Sequence, residues 1–374
     1  MRKLFVSLLG ISLVTVTEVG CQVRYMLPSM IPVTQKAPVN KIPTSSLKAT
    51  TVTSRAQAIN HCRKQLRSVV DSFAIDVKYG KAATEMDVLA SDMLDSGLAI
   101  SMEMECNGNR IVFIPQYSDC VLMLRAHKHP SFRATLTPPM SAALKKAQRI
   151  VAQVSLTNYT DYSKAVALHD YLIRNARYDS RLGNAARGDA TTKLLLEGVA
   201  MCDGYAHTYG LLLSIAGIEN RFIIGRADGV EHIWNLVKFN QKWTHIDVTY
   251  DDPKPDMPGR VLHAYFGLSD ARISSNHQWN KKLFPRASSE NFFHPVHENH
   301  RFATVRDMLN WADRNRKGRT WSVTVYIDEV AAVKSDSAVQ AKLESTAHSL
   351  GIDILKNVAL DPAVPGAIYC TFKN

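Results

Sequence analysis

The feature that most constrains the fold is a strongly apolar helical pattern that leads directly into strand-like segments. The helix is predicted over residues 203–216, and three strands with alternating or apolar side chains are predicted within 221–249. Asn240 and Gln241 separate the last two strands, so an antiparallel hairpin is expected to turn there. A helix followed by consecutive antiparallel strands predicts an α+β fold.

The register of this hairpin predicts which side chains meet. With the turn at residues 240–241, His232 lies opposite Thr249, and Asp247 lies opposite Trp234. Asp247 is then the diagonal neighbour of His232 on the same face, whereas a slip of one residue would place them on opposite faces. The spacing therefore permits a histidine–carboxylate pair, which could be catalytic or structural.

Cys202 lies where a loop enters the apolar helix. A helix N-terminus favours the thiolate, the nucleophilic form of cysteine, and the backbone N–H of Cys202 is a candidate oxyanion donor. Asp203 suits the helix start, and Gly204 allows a close approach of another chain segment. The arrangement predicts a triad in which the thiolate attacks, His232 moves the proton and Asp247 orients the imidazole. The alternative is that Cys202 is a small core residue.

Several motifs carry a family resemblance. They include Cys202-Asp-Gly-Tyr-Ala206, His232-Ile-Trp-Asn235 and Asp247-Val-Thr-Tyr-Asp-Asp-Pro253, with Ala167-Leu-His-Asp-Tyr-Leu172 upstream and His277-Gln-Trp279 downstream. In this order they resemble the bacterial transglutaminase-like superfamily, over roughly residues 140–280.

The resemblance implies a papain-like α+β core in which helices pack on an antiparallel sheet. It carries the catalytic roles to Cys202, His232 and Asp247, and it implies no cofactor. Tyr250 departs from the family pattern, where Trp is common, as does Ala200-Met201 before the cysteine.

Members of such a family attack amide carbonyls of proteins or peptides and form a thioester acyl-enzyme. Water as acceptor gives hydrolysis, as in a protease, and an amine gives transamidation. Other members are inactive and bind polypeptides, so the sequence leaves these reactions, the substrate and the inactive alternative open.

The N-terminus predicts export. A basic start at residues 2–3 precedes an apolar run over 4–16, which is typical of a signal peptide, assigned to residues 1–21. Gly20-Cys21 resembles a lipoprotein cleavage site, so a membrane tether through Cys21 and ordinary cleavage are both open. The predicted location is secreted or attached to the cell envelope, where the substrate would also lie.

The rest of the chain is predicted to form flanking regions around the core. Residues 22–53 combine Pro, Ser and Thr with four basic residues and no acid, a linker composition. The net charge of +11 does not indicate nucleic-acid binding, because basic and aromatic residues are not interleaved. The predicted units are a linker at 22–53, a small α+β N-terminal domain at 54–137, a catalytic domain at 138–280, a loop at 281–302 and a small α/β C-terminal domain at 303–374.

Two local assignments bear on the site. The apolar run at 120–126 is predicted as a strand of the N-terminal domain, and the polar stretch at 275–300 as a loop. That loop holds His294, His297 and His300 at spacings that could bind a transition metal. With no clear carboxylate or cysteine partner, a solvated loop and no metal are preferred.

The remaining cysteines leave two possibilities. In an exported chain they could form two disulfides with three connectivities, or they could be free and buried. They are Cys62, Cys106, Cys120 and Cys370.

Overall fold

A computed structural model describes residues 3–7, 10–17, 20–26, 47–95, 99–154, 159–182, 188–252, 260–315, 320–333, 335–352, 355–360 and 364–373. These residues form three sheets of four or more strands, each packed against helices. Among the described residues, no helix is both long and apolar enough to cross a membrane.

The first unit is a seven-stranded sheet in the order β1-β2-β3-β6-β7-β5-β4, with α1 and α2 contributing to its core. Its helix α1 begins after Ser54, whose side chain accepts a hydrogen bond from the backbone of Gln57, as an N-cap should. The elements are β1 Lys3–Ser7, β2 Gly10–Thr17, β3 Gly20–Met26, β4 Ala49–Val52, α1 Arg55–Arg67, β5 Phe73–Val77, α2 Ala82–Asp95, β6 Ala99–Asn107 and β7 Arg110–Tyr117.

Residues at both ends of the predicted linker belong to this sheet. β3 pairs with β6, and β4 pairs in parallel with β5 and buries Val52. These parts of 22–53 are therefore not unpaired linker, and residues 27–46 lie outside the described residues. Removal of a signal peptide and lipid attachment at Cys21 stay predictions.

The central unit packs five helices against a five-stranded antiparallel sheet in the order β13-β12-β11-β10-β14. Helix α7 is buried along its length from Cys202 to Leu213 and packs between the other helices and the sheet. The elements are α3 Asp119–Lys128, α4 Pro138–Val154, α5 Asp161–Asn175, β8 Arg177–Tyr178, α6 Ala190–Glu197, β9 Val199–Ala200, α7 Cys202–Ile215, β10 Asn220–Ala227, β11 Val230–Phe239, β12 Lys242–Ile246, α8 Val248–Asp251, β13 Phe266–Leu268, α9 Asp270–Ile273, β14 His277–Trp279 and α10 His294–His297.

The predicted hairpin and its register are confirmed. β11 pairs with β12 so that Phe239 lies opposite Lys242 and Asn235 lies opposite Ile246. Both turn residues have positive φ, 47° at Asn240 and 65° at Gln241, as a two-residue type I′ turn requires.

The strand predicted at 120–126 is wrong, because these residues form helix α3. Ser118 caps the helix by accepting from the backbone of Val121, and Asp119 lies in its first turn. Its buried side chains join the core of the central unit together with α4 and α7. That core thus includes residues before the predicted boundary at 138.

The loop predicted at 275–300 is wrong in part, since it contains β14 and α10. The short strand β14 pairs with β10 at the edge of the central sheet. Gly225 permits this pairing, because a Cβ there would lie 2.2 Å from the carbonyl oxygen of Gln278.

The last unit is a four-stranded sheet in the order β15-β16-β18-β17, with α11 and α12 in its core. Helix α11 begins with a capping box formed by Thr304 and Asp307. The elements are β15 Arg301–Phe302, α11 Val305–Arg314, β16 Thr320–Ile327, α12 Asp336–Ser349, β17 Leu355–Leu360 and β18 Ala367–Lys373.

Four cysteines are free and buried, so no disulfide forms among these four. They are Cys62, Cys120, Cys202 and Cys370, and Cys106 is also buried.

Candidate active site

Cys202 is the first residue of helix α7, as predicted. Its side chain points into a largely covered site, and only 8% of the residue is exposed. The N-cap residue Met201 provides no side-chain hydrogen bond to the helix end. The first N–H groups of a helix have no intrahelical acceptor. That of Gly204 donates to Oδ1 of Asp203 at 2.9 Å, and that of Cys202 is the candidate donor to a negative charge on a substrate oxygen.

Gly204 explains how this helix start fits its surroundings. A Cβ at this position would lie 2.4 Å from Cβ of Ala200 and 3.2 Å from the carbonyl oxygen of Ala190. The close approach predicted at Gly204 is thus made by the segment just before Cys202 and by the start of α6.

His232 and Asp247 meet at the open end of the hairpin, with His232 Nε2 2.6 Å from Asp247 Oδ2. Asp247 was expected inside the second strand, but β12 ends at Ile246 and Asp247 is the N-cap of α8. Its Oδ1 accepts from the backbone N–H groups of Thr249 at 3.0 Å and Tyr250 at 3.2 Å. These bonds fix the carboxylate and leave Oδ2 to the imidazole.

The electrostatics of the pair favour an imidazolium. Burial alone would lower the pKa of His232, but the Asp247 carboxylate and a hydrogen bond with Cys202 raise it, to about 10. Burial would likewise raise the pKa of Asp247, whereas His232 and His277 hold it well below its usual range. Because Nε2 faces Asp247, Nδ1 is the nitrogen available to the thiol. The three predicted residues are therefore brought together in one hydrogen-bonded site.

A second imidazole, missed as a site residue, shares the same carboxylate oxygen. His277 on β14 places Nε2 2.9 Å from Asp247 Oδ2, and its Nδ1 lies 2.6 Å from Oδ1 of Asn276. Asn276 is oriented by Tyr265, whose hydroxyl lies 3.0 Å from its Nδ2. The motif around His277 had contributed to the family resemblance, but a three-residue strand in a polar stretch gave no signal for this contact.

Aromatic rings enclose the imidazole of His232. Trp234 lies nearly parallel to it at a centroid distance of 6.0 Å, and Tyr250 meets it edge-on at 5.1 Å. Trp234 is itself fixed by an N–H bond to Nδ1 of His245 at 3.0 Å. These rings limit water at the imidazole and fix its plane.

Asn235 and Tyr205 have structural roles beside the site. Asn235 donates from Nδ2 to the carbonyl oxygen of Ala206 at 3.1 Å, which ties β11 to α7. The Tyr205 hydroxyl bonds to the carboxylate of Asp252 beyond α8.

Two groups of described residues have the composition of metal sites. His232, Asp247 and His277 form one, and its contacts are the hydrogen bonds of the candidate active site. The second contains His169, Asp170 and His263.

The histidines of the polar segment do not form a metal cluster among themselves within the described part of the chain. His294 stacks on His263, His297 stacks on Tyr162, and His300 packs near Trp311.

The sequence of the central unit matches a known family. The family model "Transglutaminase-like superfamily" matches residues 148–248, which contain all three predicted catalytic residues. The chain contains a transglutaminase-like domain. The match agrees with the expected fold, a set of helices on an antiparallel sheet.

One curated relative and several solved structures are similar to this chain. A peptide-N(4)-(N-acetyl-β-glucosaminyl)asparagine amidase from Caenorhabditis briggsae is 43% identical over 58 residues, which are 15% of this chain and 9% of that protein. This chain therefore spans less than a tenth of that relative.

The solved structures are more distant. A TGase is 14% identical with a TM-score of 0.28, over 56% of this chain and 61% of that one. A putative cysteine protease from Cytophaga hutchinsonii is 16% identical with a TM-score of 0.26, over 45% and 62%. The periplasmic domain of TgpA from Pseudomonas aeruginosa is 16% identical with a TM-score of 0.27, over 38% and 55%. Likenesses at these TM-scores say nothing about substrate or activity.

Proposed function

We propose that the protein is a cysteine enzyme that attacks amide carbonyls of protein or peptide substrates through a thioester acyl-enzyme. The observation that carries the proposal is the 2.6 Å bond between His232 and Asp247 beside Cys202 at a helix N-terminus. The free thiol of Cys202 supports it further, because a disulfide there would have removed the nucleophile.

In the first half-reaction, the Cys202 thiolate adds to the carbonyl carbon and the carbonyl electron pair moves to oxygen. The backbone N–H of Cys202 at the start of α7 stabilises this oxyanion. The tetrahedral intermediate collapses as the C–N bond breaks, and His232 gives its proton to the leaving amine. Asp247 keeps the imidazole oriented and stabilises its positive charge.

In the second half-reaction, His232 takes a proton from the acceptor, which attacks the thioester and releases the thiolate. Water as acceptor yields a carboxylic acid, and an amine yields a new amide. We favour hydrolysis, because water needs no binding site of its own. The name of the curated relative, an asparagine amidase, is in keeping with amide-bond chemistry.

An inactive polypeptide-binding module on the same fold is the second candidate. The low exposure of Cys202, 8%, and of His232, 9%, favours it, since a substrate carbonyl must reach the sulfur.

An acyl-transfer assay separates the two functions. Incubation with an activated ester such as p-nitrophenyl acetate should place one acyl group on Cys202, detected by intact-protein and peptide mass spectrometry. Cys202→Ser is the control and should release no burst of nitrophenol. A primary amine is then added to identify the acceptor that attacks the thioester. Formation of the amide product indicates transamidation, and a turnover rate that the amine does not change indicates hydrolysis. Absence of an adduct on Cys202 in the folded wild type would favour the binding module.

We further propose that the protein is exported and acts on extracellular or envelope substrates, either secreted or tethered through Cys21. The basic start, apolar run and Gly20-Cys21 step support this proposal. Expression in a bacterial host with labelled palmitate tests it: label in the wild type and not in Cys21→Ala indicates the tether. Unlabelled protein of shortened mass outside the cytoplasm indicates ordinary cleavage, and full-length cytoplasmic protein would contradict export.

A further inference from the structure

We propose that His169, Asp170 and His263 form a binding site for Zn²⁺, outside the hydrogen-bonded network of Cys202. His169 and Asp170 lie on α5, and His263 lies in the segment before β13. Their ligand-competent atoms lie within 4.8 Å of one another. Two imidazole nitrogens and one carboxylate oxygen are a common set of protein ligands for zinc, with a fourth position left to water.

The spacing of the three atoms is close to what an ion requires. His263 Nε2 lies 2.8 Å and His169 Nδ1 lies 3.2 Å from the same oxygen, Asp170 Oδ1. Ligands of a tetrahedral zinc, each about 2.0–2.1 Å from the metal, are separated by about 3.3 Å. Small side-chain adjustments therefore suffice to replace the present contacts by bonds to the metal.

The surroundings orient the ligands as in known zinc sites. His169 Nε2 lies 3.1 Å from Asp251 Oδ2, and both side chains are fully buried. Donation from Nε2–H to Asp251 fixes the ring with Nδ1 facing Asp170 Oδ1, as in the carboxylate–histidine–metal arrangement that sets ligand orientation. Arg174 holds the other oxygen of Asp170 at 3.0 Å, which leaves Oδ1 for the ion.

His294 supplies a second, independent observation. Its ring stacks on His263 at a centroid distance of 3.9 Å and an angle of 11°. The residue is only 8% exposed, and its Nδ1 is buried without a hydrogen-bond partner in the described part of the chain. Such atoms are rare in native proteins and often indicate a missing water or ion. Water on the fourth position of the metal would provide the partner.

The ion has a route to the site. A cavity of about 600 Å³ is lined by both Asp170 and His294, together with Tyr159 and Arg174. The side chains of Asp170 and His263 are 16% and 12% exposed, so this edge of the cluster is open while His169 is sealed.

The charges also suit a dication. Asp170 and Asp251 place two carboxylates around the cluster, and apart from the two histidine ligands themselves, Arg174 is the cation that pairs with Asp170 in the described chain.

The test uses the full chain, stripped with a chelator and titrated with Zn²⁺ alone. Metal bound per chain is measured by elemental analysis, and the affinity by competition with a chromophoric chelator. His263→Gln removes a ligand of the proposed site, and His277→Gln is the matched control because it alters the other His–Asp–His cluster. We expect one equivalent of zinc to be lost in the first variant and kept in the second.

Two further measurements keep the proposal falsifiable. Asp170→Asn, which preserves side-chain size, should weaken zinc binding at least about tenfold, with circular dichroism confirming the folded state. Co²⁺ in place of zinc should show no thiolate-to-metal charge-transfer band, because this site contains no sulfur ligand. The proposal is overturned if the wild type retains no zinc at micromolar concentrations, if His263→Gln keeps its equivalent, or if the charge-transfer band appears.

Discussion

Replacing Asp247 by Asn tests how much of the chemistry depends on one carboxylate. The substitution keeps the shape of the side chain but removes the charge that lies 2.6 Å from His232. In the wild type, burial lowers the pKa of His232, yet Asp247 and Cys202 together raise it from 6.5 to about 10. At about 1.4 kcal/mol per pKa unit, the protein stabilises the imidazolium of His232 by about 5 kcal/mol relative to an ordinary histidine.

Asp247 provides the larger share of that stabilisation, and Cys202 the smaller. Without the carboxylate, burial dominates and the pKa of His232 falls, so the thiolate–imidazolium pair is scarcer near neutral pH. We expect the substitution to remove about 3–4 kcal/mol of the stabilisation of the His232 imidazolium. This loss corresponds to a drop of about 100- to 1,000-fold in the acylation rate.

The assay is the burst of nitrophenol from p-nitrophenyl acetate, followed from pH 5 to 9 in the wild type and in Asp247→Asn. Asp270→Asn is the matched control, because it alters another His–carboxylate pair, between Asp270 of α9 and His245 of β12 at 2.8 Å. We expect the control to stay within a few-fold of the wild type. An Asp247→Asn protein that acylates at the wild-type rate with an unchanged pH profile would refute the reasoning.

Three further changes have defined outcomes. His277→Gln keeps a hydrogen-bond donor near Asp247 but removes the imidazole that helps to hold the pKa of Asp247 low, so we expect a displaced pH profile of acylation and a rate lower by about tenfold. A profile identical to the wild type would mean that His277 only packs. Gly204→Ala forces a Cβ to within 2.4 Å of Ala200 and should lower the free energy of unfolding in urea by about 2 kcal/mol or more, whereas Gly188→Ala, which meets no atom within 4 Å, should change it little. Gln241→Gly removes the backbone strain of a non-glycine residue at a φ of 65° and should raise the free energy of unfolding by about 0.5–1 kcal/mol without changing the acylation rate. A lower Tm in this variant would contradict the positive φ assigned to this turn residue.

The parts of the fold that could be predicted depend on local patterns. The helix that starts at Cys202 and the β11–β12 hairpin follow from apolar periodicity and a two-residue turn, and the register then places His232 near Asp247. The family match over residues 148–248 agrees with the same assignment.

The errors arise where the pattern is ambiguous or the contact is distant in sequence. The run at 120–126 has the apolar content of a strand, and only the N-cap residue Ser118 and the acidic Asp119 in the first turn identify it as helix α3. Asp247 was placed in a strand because strand alternation does not show that its side chain caps α8.

Partners that meet from separate segments could not be predicted either. His277 reaches Asp247 from a strand of only three residues, and His263 reaches Asp170 across 93 positions of the chain. Contacts of this kind are decided by tertiary packing and not by periodicity.

The central claim is that His232 activates Cys202, and the rate of Cys202 alkylation against pH tests it most directly. Iodoacetamide labelling is quantified by peptide mass spectrometry in the wild type and in His232→Ala. Burial raises the pKa of Cys62 and Cys370 to about 12 and that of Cys120 well above its usual value, so these thiols should react slowly in the folded protein. The account predicts fast labelling of Cys202 well below pH 8 that is lost in His232→Ala. Slow labelling with the profile of an ordinary thiol in both proteins would contradict it.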